Sequence, residues 1–286
     1  MRGRPIRGCL WTAAAIRNTF SAEMRAILLA AGRGIRLGPL GRERPKCLLT
    51  FAGKSLLQRH LECLHRLGVS EVALVVGYLE QDVAAELDAL ALERRPTTLS
   101  NPRFERGSVV SLWTAREALA AGGDVLLMDA DVLYDAAILE RLVRLPGDLF
   151  LIDRKFDDTG QEAVKLCVRR GVAVEFRKRL AADLVYDFAG ESVGFFRFGE
   201  TVARALAARC AEYVAAGRLD EPYEEAIREL LLESPGQFRF EDITGLPWIE
   251  IDFADDVRRA EAEILPRLSQ PEPGLRRAGE TGGPSD

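Results

Sequence analysis

Short apolar runs alternate with longer amphipathic stretches along most of the chain. "RAILLA" (25–30) is continuously apolar after Arg25, as a strand buried on both faces requires. "SLLQRHLECLHRLG" (55–68) spaces Leu56, Leu57, Leu61, Leu64 and Leu67 at helical intervals and stops at Gly68. "EVALVVG" (71–77) predicts a second buried strand, "LEQDVAAELDAL" (79–90) a helix and "TTLSN" (97–101) a weaker strand. "SVVSLWTAREALAAG" (108–122) predicts a third helix, and "DVLLMDAD" (124–131) a strand ending in acids. A short helix and "DLFLID" (148–153) follow. This alternation predicts an α/β fold: a Rossmann-like, doubly wound, mostly parallel sheet. Right-handed crossovers then gather the loops after the strands on one edge, where ligands bind.

From about 160 to 200 the pattern changes. "AVKLCVRR", "GVAVEFRK" and "GESVGFFRFG" read as strands joined by short turns, a small antiparallel extension. Helices are expected at 200–216 and 221–233. "PWIEIDFADDVRRAEAEIL" then predicts a strand ending in acids and a final helix. Residues 24–268 are expected to form one domain. Residues 1–23 carry several arginines and no acid before Glu23, which resembles a presequence in composition. The preferred reading is a disordered or mis-called extension, because Met24 stands where the first strand begins. The Pro-, Gly- and charge-rich stretch 269–286 predicts a disordered tail.

Composition narrows the classes. The 286 residues are 48% hydrophobic, enough for one full α/β domain. A formal net charge of −5 gives no long-range attraction to DNA or RNA, so nucleic acid is not an expected partner. No apolar run approaches the roughly 18 residues of a membrane span. Cys9, Cys47, Cys63, Cys167 and Cys210 are scattered, without a C-x-x-C pair, which predicts reduced thiols and a cytoplasmic location. His60 and His65, five apart on a helix, do not share a face for a metal.

The chemistry concentrates after the first strand, in "LLAAGRGIRLGPLGRERPKCLL" (28–49). Gly32, Gly34 and Gly38 space as G-x-G-x-x-x-G, one residue off the dinucleotide fingerprint, and the second strand lacks the acid that fingerprint needs. Gly53-Lys54-Ser55 is not a P-loop, since Leu48 stands where its first glycine belongs; it reads as a turn before the helix. What remains is a loop whose glycines bring backbone N–H groups close to phosphate, with Arg36 and Lys46 adding charge and Pro45 extending the chain before Lys46.

This order of residues resembles the nucleotidyltransferases that couple an NTP to a sugar phosphate or a similar phosphate, whose signature is L-A-A-G-x-G-x-R-L followed by P-K-x-L. The resemblance covers roughly Met24 to Leu268. It implies a GT-A-like nucleotidyltransferase fold, a bound nucleotide and Mg²⁺. It further implies that Ala30, Ala31, Gly32 and Gly34 wrap the triphosphate and that Arg36 and Lys46 act in catalysis. Asp131 matches the family's metal aspartate, although Ala130 replaces the usual glycine before it, and Asp252 matches its partner. Glu250 is a plausible helper and Asp129 a weaker one. "NPRFERGSVVSL" (101–112) lies where the family reads the base, with Asn101 and Ser111 as candidates. "SVVSLWTA" and "WIEID" resemble the phosphocholine and phosphonate cytidylyltransferase branch, which implies CTP. For the acceptor the same branch points to Tyr134 as a cage aromatic and to Lys165 on the phosphate; Asp153 and Glu191 suit either an amine or hydroxyls. The expected acceptors are phosphocholine, phosphoethanolamine or 2-aminoethylphosphonate. A sugar phosphate or inositol 1-phosphate is the alternative. From a different class comes a catalytically inactive, nucleotide-binding regulatory protein, which would predict damage at Arg36, Lys46, Asp131 or Asp252; all four are intact.

Overall fold

Apolar runs without polar alternation can be satisfied only by cover on both faces, and the chain provides it. The computed structural model describes residues 24–90, 92–156 and 163–269. The expectations for 1–23 and for nearly all of 269–286 lie outside the described residues. The first half comprises β1 (Arg25–Leu29), α1 (Pro39–Glu43), β2 (Thr50–Phe51), β3 (Lys54–Ser55), α2 (Leu56–Arg66), β4 (Glu71–Val76), α3 (Glu80–Ala89) and β5 (Thr97–Ser100). Next come α4 (Ser108–Thr114), α5 (Arg116–Ala120), β6 (Val125–Asp129), β7 (Val132–Tyr134), α6 (Ala136–Arg144) and β8 (Leu149–Asp153). The remainder is β9 (Lys165–Arg169), β10 (Val172–Arg177), β11 (Phe188–Phe198), α7 (Glu200–Ala215), α8 (Tyr223–Glu233), β12 (Arg239–Asp242), β13 (Trp248–Glu250) and α9 (Ala254–Arg259).

The sheet runs β10-β9-β11-β6-β1-β4-β5, with β8 on β11 and β12 on β8. β1, β4, β5 and β6 are mutually parallel, and β11 joins β6 antiparallel. β9, β10 and the first part of β11 form the antiparallel extension. Successive residues of β1 and β6 serve opposite layers. Ile27, Val125 and Leu127 pack with α4, α5, α7 and α8, whereas Ala26, Leu28, Leu126 and Met128 pack with α2, α3 and α6.

Two expectations are refined. The helix over 108–122 breaks at Ala115, whose N–H turns to the Leu112 carbonyl in a tighter i→i−3 bond. The strand over 124–131 ends at Asp129, and β7 starts after a turn, outside the main sheet. β12 is an addition. It is too short and polar to announce itself, and it forms because β8 offers it a free edge. No helix among the described residues is long and apolar enough to cross a membrane.

One buried cation closes the end of the sheet opposite the strand carboxyl termini. Arg197, on β11, donates to the carbonyls of Val143 (2.8 Å) and Leu145 (2.6 Å) at the C-terminal end of α6 and to Asp124 (3.0 Å). At the other edge β1, β4, β5 and β6 all end together, and the following residues make the candidate site.

Candidate active site

The loop after β1 is held by backbone bonds to its neighbours. Ala30 N–H donates to the Val75 carbonyl (2.8 Å), Tyr78 N–H to Ala31 (3.1 Å), and Ala130 N–H to Leu29 (3.2 Å). Gly34 adopts left-handed geometry (φ 59°, ψ 38°) and starts a 3₁₀ turn over Ile35–Leu37. A side chain on Gly34 would meet Lys46 Cγ at 3.0 Å, and one on Gly41 would meet the Gly34 carbonyl oxygen at 2.1 Å. The loop is therefore folded tightly on itself, and the Lys46 stem runs across Gly34. Gly34→Ala is expected to cost about 1–2 kcal/mol for the left-handed backbone and to displace Lys46; a urea melt and a kcat/KM lowered about tenfold check it.

Loop and strand ends enclose a cavity of about 440 Å³ lined by Gly32, Gly34, Arg36, Lys46, Phe104 and Asp131, among others. Arg33 and Glu105 pair across its mouth at 2.7 Å. The stretch 101–107 thus reaches the cavity through Phe104, Glu105 and Arg106. Asn101 and Ser111 stand behind it: Asn101 is buried, accepts from Arg103 N–H (2.9 Å) and donates to Ser111 Oγ (3.1 Å). Their visible role is to shape the loop.

Three carboxylates meet beside this cavity. Asp131, Glu250 and Asp252 each place an oxygen within 4.8 Å of the others. The pairing of β13 with β7 sets Glu250 opposite Val132, and Ile251 N–H donates to the Asp131 carbonyl (3.0 Å), so residues far apart in sequence become neighbours. Lys46 Nζ lies 2.8 Å from Asp131 and 2.6 Å from Asp252, and Arg36 lies 2.7 Å from Asp252. Burial opposes the charge on Lys46, but Asp131 and Asp252 outweigh it and hold its pKa above the ordinary lysine value. Burial likewise opposes ionisation of Asp252, which Lys46 and then Arg36 overcome, holding its pKa low. Glu250 is exposed as a residue, yet desolvation of its carboxyl among its neighbours, then the charges of Asp131 and Asp252, push its pKa up to about 8. Asp129 stands apart from this group. Its carboxylate accepts from Tyr223 Oη at 2.7 Å, and burial, then Asp131, raise its pKa. Gly194 lies against it, in left-handed geometry. The cluster is a hard-oxygen donor set of the kind that suits Mg²⁺.

A second cavity, about 280 Å³, adjoins Glu250 and Asp252 and is also lined by Asp153, Glu191, Trp248 and Phe253. Asp153, Glu191 and Lys165 stand side by side across β8, β11 and β9 in strand register. Trp248 Nε1 donates to Asp153 at 3.0 Å. Lys165 is buried and does not line this cavity. Tyr134 is not brought to the site. Its ring packs 4.8 Å from Phe195 and 5.2 Å from His60 in the core, beside a different cavity lined by Arg59, Cys63 and Asp135. The expected cage aromatic is corrected to a core residue, because both faces of β7 are covered. Sequence reasoning missed Lys178, which follows β10; its charge acts on Glu250 and Asp252. The signal available was the basic run Arg177-Lys178-Arg179 at a strand exit.

A family profile described as MobA-like NTP transferase domain matches residues 26–231. The CTP:phosphoglutamine cytidylyltransferase of Campylobacter jejuni is 24% identical over 256 residues, covering 82% of this chain and 98% of that protein. The UTP–glucose-1-phosphate uridylyltransferase AglF of Haloferax volcanii is 32% identical over 260 residues, covering 86% and 99%. Several other curated relatives are longer, and the chain spans 40–54% of their length. The solved structure of the CTP:phosphocholine cytidylyltransferase from Streptococcus pneumoniae superposes with a TM-score of 0.67 at 22% identity, over 83% of this chain and 97% of that one, a likeness of fold.

Proposed function

From a chain that belongs to the family of MobA-like NTP transferase domains, and is thus a nucleotidyltransferase, we propose a Mg²⁺-dependent cytidylyltransferase that joins CTP to a small amine-bearing phosphate or phosphonate. The observation that carries this reading is the junction of two cavities at Asp131, Glu250 and Asp252. One is walled by a glycine loop with Arg36 and Lys46, the other mainly by acids with Lys155 and Arg259 among them. A triphosphate fits the first by charge and by backbone donors. In the second, the carboxylates Asp153, Glu191, Glu250, Asp252 and Asp256 outnumber the cations Lys155 and Arg259, and the Trp248 donor is engaged by Asp153. A lining rich in acceptors matches an ammonium, which donates and does not accept, better than hydroxyls, which do both. Phe253, whose ring face lies under the Arg36 guanidinium at 5.1 Å, is not free to box a quaternary ammonium.

An acceptor phosphate oxygen attacks the α-phosphorus of CTP, the bond from that phosphorus to the bridging oxygen of the β-phosphate breaks, and pyrophosphate leaves. A phosphate near neutral pH is already largely ionised, so no general base is needed. Arg36 and Lys46 hold the triphosphate and offset the growing negative charge. Asp131 and Asp252, with Glu250, would hold Mg²⁺, which supplies further charge neutralisation on the phosphates.

CTP is preferred on the cytidylyl relative that matches over 98% of its length. A sugar-phosphate uridylyltransferase is the second reading, favoured by the full-length match at 32% identity. Pyrophosphate release across four NTPs, with phosphocholine, phosphoethanolamine, 2-aminoethylphosphonate, inositol 1-phosphate and hexose 1-phosphates, decides between them. Release with CTP and an amine-bearing acceptor is expected. UTP with a hexose phosphate selects the second reading, and release with no pair removes both.

A further inference from the structure

Lys46 stands where a cation is wanted. Its ammonium bonds Asp131 and Asp252 at once, at 2.8 and 2.6 Å, with the two carboxylates that would hold the divalent metal as its partners. Arg36 takes the other oxygen of Asp252. With both cations seated, the charges of Asp131 and Asp252 are matched one for one. A bare divalent cation would therefore have to separate charge-assisted bonds in a partly buried place while offering Lys46 no new partner.

The path of the Lys46 stem supplies the second observation. It crosses Gly34 so closely that a Cβ there would meet Lys46 Cγ at 3.0 Å, which seats the ammonium between the acids and the loop that receives the triphosphate. Phosphate oxygens on that loop reach the ammonium with little movement of its stem. Lys46 and Arg36 can then exchange carboxylate partners for phosphate partners without any charge being left unpaired.

We propose that Lys46 is the resident counter-ion of the Asp131–Asp252 pair and yields it only when phosphate oxygens take its ammonium, so that the divalent cation enters with the nucleotide and not before it. The inference rests on the metal role assigned to these acids above. By linkage, CTP and the cation then raise each other's affinity by the same factor, and Lys46 contributes to that factor.

Mn²⁺ binding followed by electron paramagnetic resonance, without acceptor, tests it independently of turnover. Lys46→Met, which keeps the stem and removes the charge, is expected to bind Mn²⁺ alone at least tenfold more tightly than the wild type. CTP should then tighten Mn²⁺ by a smaller factor in the variant than in the wild type. Lys46→Gln serves if the methionine variant does not fold, as judged by circular dichroism. Arg204→Met, which removes a charge paired to Glu200 on α7 away from both cavities, should change Mn²⁺ affinity less than threefold. Equal or weaker Mn²⁺ binding by the Lys46 variants overturns the proposal while leaving the metal site standing. Failure of Mn²⁺ to bind any form, with or without CTP, overturns the metal site as well.

Discussion

Asp131→Asn is expected to lower kcat/KM by about 10²–10³-fold, the size of loss that removing one preorganised charge-stabilising group produces elsewhere. The substitution keeps the shape of the side chain and removes its charge. Lys46 retains Asp252 at 2.6 Å, so the ammonium is not orphaned and the loop keeps its seat. β7 and β13 pair through backbone bonds that do not involve this carboxylate. Stability should therefore change little and turnover much. Steady-state kinetics beside a thermal melt separate the two effects. Activity within threefold of wild type would remove Asp131 from the metal site and, with it, the reason for placing the reaction there.

Acid is expected to weaken the fold through His60. Its imidazole is fully buried on α2 beside Tyr134 and Phe195, and neither ring nitrogen makes a hydrogen bond of normal geometry. Burial pushes its pKa down to about 4 from the ordinary 6.5. Between those values the unfolded chain binds the proton and the folded chain does not, so stability falls as pH drops through this window. The folded state is fully favoured above pH 6.5. At pH 5 the loss from this residue amounts to about 2 kcal/mol, from about 1.4 kcal/mol per unit of pKa difference. His60→Phe keeps an aromatic side chain in the same aromatic surroundings and cannot take the proton. Urea melts at pH 7 and pH 5 should show the wild type losing about 2 kcal/mol more than the variant; parallel losses would exclude His60 as the cause.

Much of the architecture was legible because its signals are local. Continuous apolar runs, residues 26–29 in β1 and 72–76 in β4, admit little but doubly covered strands, and the leucine spacing of α2 admits little but a helix. The loop after β1 was legible because glycine spacing, Pro45 and clustered cations act on neighbours in the chain. Long-range placement was less open to reading. Tyr134 follows Asp131 closely, which made it a reasonable partner for a ligand, yet strand β7 turns it into the packing beneath the sheet. Asn101 carries a side chain fit to read a base, but its backbone position made it the bracket of its own loop.

What the sequence determined by itself was which residue types the chain carries and on which edge of the sheet: a glycine-rich loop, two cations, and acids at two strand ends, since each depends on residue type and local periodicity. Only the tertiary structure decided which of these meet. The antiparallel register of β7 and β13 brings Asp131 to Asp252. The crossing of Lys46 over Gly34 places an ammonium between them. The antiparallel pairing of β11 with β8 on one side and β9 on the other aligns Asp153, Glu191 and Lys165 in one row. Such contacts join residues far apart along the chain, and their geometry comes from the packing of the whole sheet, which no local pattern contains.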